Sequence, residues 1–439
     1  MATPLYDAMT RYIETQTVSY HTPGHKGQAS LLAPLAHTAY DLTEIPAVGS
    51  LYDGDDVIEQ AERETAAVFG AKETFFSGGG CTLAIQTMLA LAVKRGGRVL
   101  MGRNAHRSAV HAAALLGADV VWLLTLDPDA VEEQLSADET VRTVYVTSPD
   151  YYGRLADISR LSAVCRRHGA ALLVDNAHGT HLEAFGLHPL THGADATADS
   201  AHKTLPVLTG GAWLHVSADG VFADLSRAEV KTTMALFGST SPAFPVLASL
   251  DVAQDWWRRE GRTAFLKLRE RIEPLRQTVK ALGWEFEEER IDPVRLTLDC
   301  KERDARQVAE FLRQNGAEAE YADRRYAVLL LSPFHTDDQL ARLQELLVQA
   351  AREPQAEAAA SAFTAKMPDH LPETVCGLRE ALTAPHETVP LDEAVGRVSA
   401  QTVCPCPPGV AAIVPGERVE KALVEQWAQD GMTCMMVLK

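Results

Sequence analysis

The stretch ISRLSAVCRRHGAALLVDNAHGTH, residues 158–181, joins the two patterns that recur along this chain. Its first half, ISRLSAVCRRHGA, reads as a helix, and ALLVD is an apolar run of strand length that stops at Asp175. Working outward, RVLMG, DVVWLL and TVYVTSP read as strands before it, and ADATADSA and GAWLHVS as strands after it. IEQAERETAAVFGA, CTLAIQTMLALAVKRG and SAVHAAALLGA read as helices between them. Strands alternating with helices over residues 56–255 argue an α/β domain, a mostly parallel central sheet with helices on both faces.

Outside that block the character changes. Residues 1–55 are rich in turn formers and His (VSYHTPGHKGQ, DLTEIP, LYDGDD) and read as an irregular N-terminal arm around one helix. Residues 256–352 read as a smaller α+β domain. It holds a long charged helix (DWWRREGRTAFLKLRERIEPLRQTVKAL), strands RLTLDC and AVLLLSPF, and a helix DARQVAEFLRQNGA. Residues 353–366 lack large apolar groups and read as a linker. Residues 367–439 read as a small appended domain with a Pro-locked loop, PCPPGVAAIVPGERV, and a final helix. No internal repeat is visible.

Composition narrows the function classes. The formal net charge of −18 leaves no basic excess to neutralise phosphates, so nucleic acid is not an expected partner. A negative field concentrates cations, which is consistent with a cationic small-molecule substrate; an acidic surface also simply aids solubility. No run reaches membrane-spanning length, and the N-terminus has no signal-peptide pattern. Seven scattered cysteines, including a lone CPC pair at Cys404 and Cys406, fit a reduced cytoplasmic protein without a metal site.

Several residues carry candidate chemistry. Lys203, in SAHKTLPVLTGGAWLHV (200–216), sits between a strand and a Gly-Gly turn. A lone Lys is ordinarily a solvated surface charge, but one held against the sheet is partly desolvated, which lowers its pKa and suits it to imine formation. Asp175 ends a strand, where ligands of open α/β sheets bind; its plainer reading is a turn or cap residue. A carboxylate about 4 Å from a cationic ring nitrogen stabilises it by about 4 kcal/mol at an effective dielectric near 20. The run SGGGCT, with Gly79, Gly80, Cys81 and Thr82, precedes a helix and is either a plain turn or a phosphate cradle. His106 opens the next helix, as a cap or as a ring stacked on a cofactor. His178 and His181 follow Asp175; a metal site of these three is permitted by spacing but lacks any HExxH-type motif.

These residues bring out a resemblance. The chain resembles the bacterial Orn/Lys/Arg decarboxylases, in the short form without an N-terminal wing domain, over nearly its whole length. HTPGHKG (21–27), DNAHGTH (175–181), SAHKTLPVLTGG (200–211), STSPAFPVLASLD (239–251) and PCPPGVAAIVPGERV (405–419) resemble the family's signatures in order. The resemblance implies an aspartate-aminotransferase-like, fold-type I enzyme dependent on pyridoxal 5'-phosphate (PLP), decarboxylating arginine, lysine or ornithine in polyamine metabolism. It implies that Lys203 is the imine lysine, that Asp175 faces the pyridine nitrogen, that His106 stacks on the ring and that His178 lies near its oxygen edge. Ser200 and His202 would contact the phosphate. Ser239, Thr240 or Ser241 would complete the phosphate site of a partner subunit, implying at least a homodimer.

There are departures. Gly79 and Gly80 stand where relatives usually carry a Ser-Thr pair, Asn176 where an acid is common, LYDGDD for a Leu-His segment and PCPPG for Pro-Tyr-Pro-Pro-Gly. Two rival expectations follow. One is another fold-type I reaction, an aminotransferase or a C–S or C–Se lyase; the other is a non-catalytic regulatory relative.

Overall fold

The computed structural model describes residues 15–20, 24, 44, 48–53, 57–301, 303–353, 370–404, 411–429 and 431–439. The expected N-terminal helix, His21, His25, most of the linker, Cys406 and the PCPPG turn lie outside the described residues.

A short strand β1 (Val18–Tyr20) belongs to the arm. The main sheet follows: β2 (Glu73–Ser77), β3 (Arg98–Gly102), β4 (Val120–Leu123), β5 (Val141–Thr147), β6 (Ala171–Asp175), β7 (Ala196–Asp199) and β8 (Ala212–Val216). Its order is β2-β8-β7-β6-β5-β3-β4. Only β8 runs against the others, pairing antiparallel with both β2 and β7. The cause is local: the chain leaves β7, makes one helical turn, and doubles back through Gly210, whose φ of +94° suits glycine. The strands are buried on both faces, so they read as apolar runs rather than as alternations.

Helices α1 (Val57–Phe69), α2 (Gly80–Lys94), α3 (Arg107–Leu116), α4 (Pro128–Ala137), α5 (Ile158–His168), the one-turn α6 (Ala201–Thr204) and two further helices, Arg227–Ala235 and Phe244–Trp256, belong to the large domain. The largely apolar α2 is buried across β6, β7 and β8, in one core with α3. Strand β2 and helix α4 were not read from sequence. The expected single helix over 255–282 is broken instead. Phe244–Trp256 passes through a wide turn at Trp257–Gly261 into Arg262–Arg271, and Glu273–Ala281 restarts after Ile272. Pro274, near the start of that last segment, supplies no N–H to continue the preceding turn.

The smaller domain holds a three-stranded sheet of order β11-β12-β9, from β9 (Arg295–Asp299), β11 (Tyr321–Ala322) and β12 (Tyr326–Leu330), and a separate two-stranded sheet in which β1 pairs in parallel with β10 (Ala317–Ala319). The appended domain has the expected final helix at Lys421–Gln429, and a strand that was not expected follows it, β14 (Cys434–Leu438), paired antiparallel with β13 (His386–Pro390). It is tied to the large domain by a buried ion pair, Arg103 with Glu417, and by Ala411 N–H donating to Arg103 C=O at 2.7 Å.

Candidate active site

Strands β3, β5, β6 and β7 run parallel, so Gly102, Thr147, Asp175 and Asp199 all finish at one edge of the sheet. A cavity of about 260 Å³ opens there. Its lining brings together Lys203, Asp175, His106, His178, Ser200, His202, Gly80, Cys81 and Thr82. Gly79 stands just behind, as the residue preceding α2. Ser239, Thr240 and Ser241 are exposed and are not among the lining residues. Pro242, which follows them, lies 3.8 Å from where a Cβ on Gly78 would be.

Each side chain is set by its element. Lys203 rides on α6, with its N–H donating to Ser200 C=O at 2.9 Å. Its Nζ lies 2.8 Å from His178 Nε2. Burial pulls the amine below the ordinary lysine value; Cys81, Asp175 and Glu320 act the other way, and Arg295 adds to the depression. Burial, followed by Lys203, holds the His178 imidazole well below its usual range. A neutral His178 can therefore accept a hydrogen bond at Nε2 from Lys203.

Asp175 is buried at the end of β6. Its Oδ2 accepts from Tyr145 O–H at 3.1 Å and its Oδ1 from Ala177 N–H at 3.1 Å. Tyr145 is fully buried, and burial followed by the Asp175 charge pushes its phenol well up, so it stays a donor. His106 caps α3, its Nδ1 accepting from Ser108 N–H at 3.2 Å. It also borders the cavity, so the capping role and the cavity role coexist. Desolvation lowers its pKa as well, but its ring is exposed and the effect is smaller than at His178.

The start of α2 leaves its backbone donors on the cavity side of the sheet without a side-chain cap, because Gly79 offers none. Gly80 adopts φ +70°, and its N–H donates to Gly210 C=O at 2.8 Å, tying the SGGG loop to the turn that follows Lys203. Thr82 adds an exposed hydroxyl.

Asn176 faces away from this chemistry. Its Nδ2 donates to Asp199 Oδ2 at 2.8 Å, and His188 Nε2 lies 2.9 Å from the same oxygen. His188, Asp199 and His215 form a fully buried group whose ligand atoms lie within 4.8 Å of one another. His188 already hydrogen-bonds Asp199, and its Nδ1 accepts from Leu190 N–H at 3.4 Å, which leaves it no lone pair for a metal. Asp175, His178 and His181, whose spacing permits a metal, are separately engaged. His181 Nε2 pairs with Asp292 at 2.9 Å, away from the other two.

Sequence reading missed Tyr145, Thr147, Tyr151, Tyr152 and Asn104. Tyr145 shares its strand face with Thr147, a period-two signal available from TVYVT once the strand end is taken as the site. Tyr151 and Tyr152 follow the same strand end in TSPDYY. Tyr151 meets the His178 ring edge-on at 5.1 Å and donates to Glu320 Oε1 at 3.0 Å.

The residues fit PLP. A depressed lysine amine, a carboxylate fixed at a strand end, an uncapped helix N-terminus and an open imidazole border one cavity. Two buried polar atoms of the lining, Thr147 Oγ1 and His178 Nδ1, have no partner among the described residues. Fold and site together define a PLP-dependent enzyme of fold type I.

Residues 3–302 match the family model "Orn/Lys/Arg decarboxylase, major domain", and residues 357–428 match "Orn/Lys/Arg decarboxylase, C-terminal domain". The chain belongs to the Orn/Lys/Arg decarboxylase family. It is 29% identical to the uncharacterized protein YaaO of Bacillus subtilis, over 97% of this chain and 94% of that one. It is 28% identical to an arginine decarboxylase of the same organism, over 94% and 91%. The constitutive lysine decarboxylase of E. coli superimposes with a TM-score of 0.75 at 19% identity, over 100% of this chain and 82% of that one.

Proposed function

We propose that this chain is a PLP-dependent decarboxylase of a basic amino acid (arginine, lysine or ornithine), with Lys203 as the lysine that carries the cofactor. The observation that carries the reading is Lys203 Nζ held 2.8 Å from His178 Nε2 in the cavity that Asp175 also borders. The full-length similarity to an arginine decarboxylase supports the reaction class.

Bound PLP supplies an electron sink for the bond broken at Cα. The chain's own residues do the rest. Burial keeps a fraction of the Lys203 amine unprotonated and able to react with a carbonyl. His178 Nε2 accepts a hydrogen bond from the Lys203 amine and holds it in place. Asp175, fixed by Tyr145 and Ala177, presents a carboxylate that keeps a ring nitrogen protonated. The first turn of α2, with Thr82, Ser200 and His202, serves the phosphate. The exposed face of His106 serves the ring. Glu320 raises the Lys203 pKa through its charge and favours a cationic substrate side chain; Asp150, which borders the cavity, is already paired with Arg154 at 3.3 Å. Exposed Ser239, Thr240 and Ser241 serve the phosphate site of a second copy, so the working unit is a homodimer.

Among the described residues no helix is long and apolar enough to cross a membrane, and no disulfide joins their cysteines. The latter suits a reducing compartment such as the cytoplasm.

The test is a carbon dioxide release assay across arginine, lysine, ornithine and neutral amino acids, beside hydride trapping and peptide mapping. Amine and carbon dioxide from a basic substrate, with the trapped label on Lys203, is the expected result. A keto acid product, or a label on another lysine, overturns the proposal.

A further inference from the structure

A helix of four residues cannot hold itself in water, because it closes too few hydrogen bonds for the residues it orders. The turn that carries Lys203 is such a helix, Ala201–Thr204. On one side it is held by β8, with His202 N–H donating to Gly211 C=O at 3.2 Å. On the other side its carbonyls need outside partners.

Gly24 supplies one. Its N–H donates to His202 C=O at 2.6 Å. Its own C=O accepts from Ser332 Oγ at 3.1 Å. Ser332 is buried just after β12, in a turn closed by its N–H donating to His335 Nδ1 at 3.2 Å and by His335 N–H donating to Ser332 C=O at 3.0 Å. One peptide of the arm thus bridges the lysine turn and the small domain.

The approach is close enough to require glycine. A Cβ on Gly24 would sit 2.3 Å from Thr204 C, 2.6 Å from its O and 2.7 Å from Leu205 N. All three are backbone atoms, so no side chain can swing aside; the lysine turn itself would have to move.

We infer that Gly24 is a positioning residue that fixes the Lys203 turn against the small domain, so that the arm and Ser332 set where the Lys203 amine stands. The inference rests on Lys203 being the cofactor lysine only for its kinetic consequence; the strut itself is independent of that role. Displacing the turn by an ångström misplaces the amine relative to His178 and Asp175, and errors of that size cost about 10²-fold in rate.

The experiment uses the full-length holoprotein with Gly24→Ala and Ser332→Ala. Ser332→Ala removes one hydroxyl, with its bonds to Gly24 C=O and from Phe334 N–H at 3.4 Å, and introduces no clash, so it keeps the test alive if Gly24→Ala does not fold. Three readouts are taken: amide hydrogen exchange of the 200–205 peptide, the pH midpoint of the visible imine band, and kcat and KM. Gly24→Ala should speed exchange in that peptide and shift the midpoint by about one pH unit, a tenfold change. It should also lower kcat about 10²-fold with little change in KM. Ser332→Ala should move all three the same way by less. Wild-type exchange and an unmoved midpoint in a folded Gly24→Ala protein overturn the inference, as does an unaltered Ser332→Ala protein where Gly24→Ala fails to fold. Faster exchange together with a trapped label on some other lysine would sink the assignment of Lys203 and leave the strut standing.

Discussion

Exchanging the charge in the buried pair of Asn176 and Asp199 should make the protein unstable at neutral pH and rescuable by a second substitution. Asn176 Nδ2 donates to Asp199 Oδ2 at 2.8 Å, and both residues are fully buried. Burial alone would raise Asp199, but His188 and His215 hold it below the ordinary carboxylate value. Asn176→Asp replaces the donor by a second carboxylate at the same spot. Two like charges 2.8 Å apart repel by about 6 kcal/mol at an effective dielectric near 20. The protein evades part of this by keeping one acid protonated, which at pH 7 costs about 4 kcal/mol for an acid of ordinary pKa near 4. The smaller cost is the one observed, so a loss of about 4 kcal/mol is expected, or about 10 °C in the melting midpoint of a domain this size.

The sign with pH follows. The new acid has a folded pKa above its unfolded value, so its penalty is absent below about pH 4 and grows as pH rises toward neutrality. A protonated acid at 176 again donates to Asp199, so the deficit should nearly vanish near pH 4. Adding Asp199→Asn restores one acid and one amide with the partners reversed, and should recover most of the loss at pH 7. The assay is thermal and denaturant unfolding of the wild type, both single variants and the double variant between pH 4 and pH 8. A single Asn176→Asp variant as stable as wild type at pH 7, or a double variant no better than the single, refutes the reasoning.

Other perturbations give separable readings. Asp292 is raised by burial but held at about 2 by His181, 2.9 Å away, and by Arg295. Its folded pKa is depressed, so it contributes about 2 kcal/mol above its unfolded pKa near 4, lost as pH falls toward 2. His181→Phe should shrink the stability difference between pH 5 and pH 2, measured by urea midpoints. Glu417→Ala strands the buried Arg103 guanidinium and should destabilise docking of the appended domain by about 3–5 kcal/mol, read as faster amide exchange at Ala411–Val414. Arg103→Met with Glu417→Met should recover much of that loss. Tyr145→Phe removes one donor from Asp175, worth about 1 kcal/mol, and should weaken PLP retention about fivefold in an absorbance titration.

How much of this was legible in the sequence depended on the distance over which each feature is determined. ALLVD is a buried parallel strand, and its apolar run and terminal Asp175 are written locally, so fold and site both followed from it. Lys203 was legible because a strand and a Gly-Gly turn flank it. ETFFS, by contrast, is an edge strand between two helices, and its five residues carry too short a pattern to stand out. The 255–282 helix looked continuous because its charges are regular; Gly261, Pro274 and the packing of Trp256 and Trp257 around Gly261 divide it. The closing strand CMMVL acquires meaning only when it pairs with His386–Pro390, about fifty residues earlier by chain order. ADATADSA was legible as a strand, but nothing local in it shows that His188 and Asn176 converge on Asp199. Gly24 could not be ranked above any other loop glycine until Thr204 was seen beside it.

The departures from the family pattern argue in the same physical terms, and they argue for an intact site. Gly80 is not a lost hydroxyl left vacant. Its φ of +70° strains any other residue, and its N–H closes a bond to Gly210 that joins the anion cradle to the turn after Lys203. A Ser or Thr there would gain one hydroxyl and destabilise the backbone that aims the remaining N–H groups. Asn176 is likewise matched, because the acid it lacks is carried by Asp199 across a 2.8 Å hydrogen bond. A chain freed from catalysis would have no physical reason to keep Lys203 desolvated against His178 or to leave Asp175 buried with two donors, since both cost stability unless the charges are used.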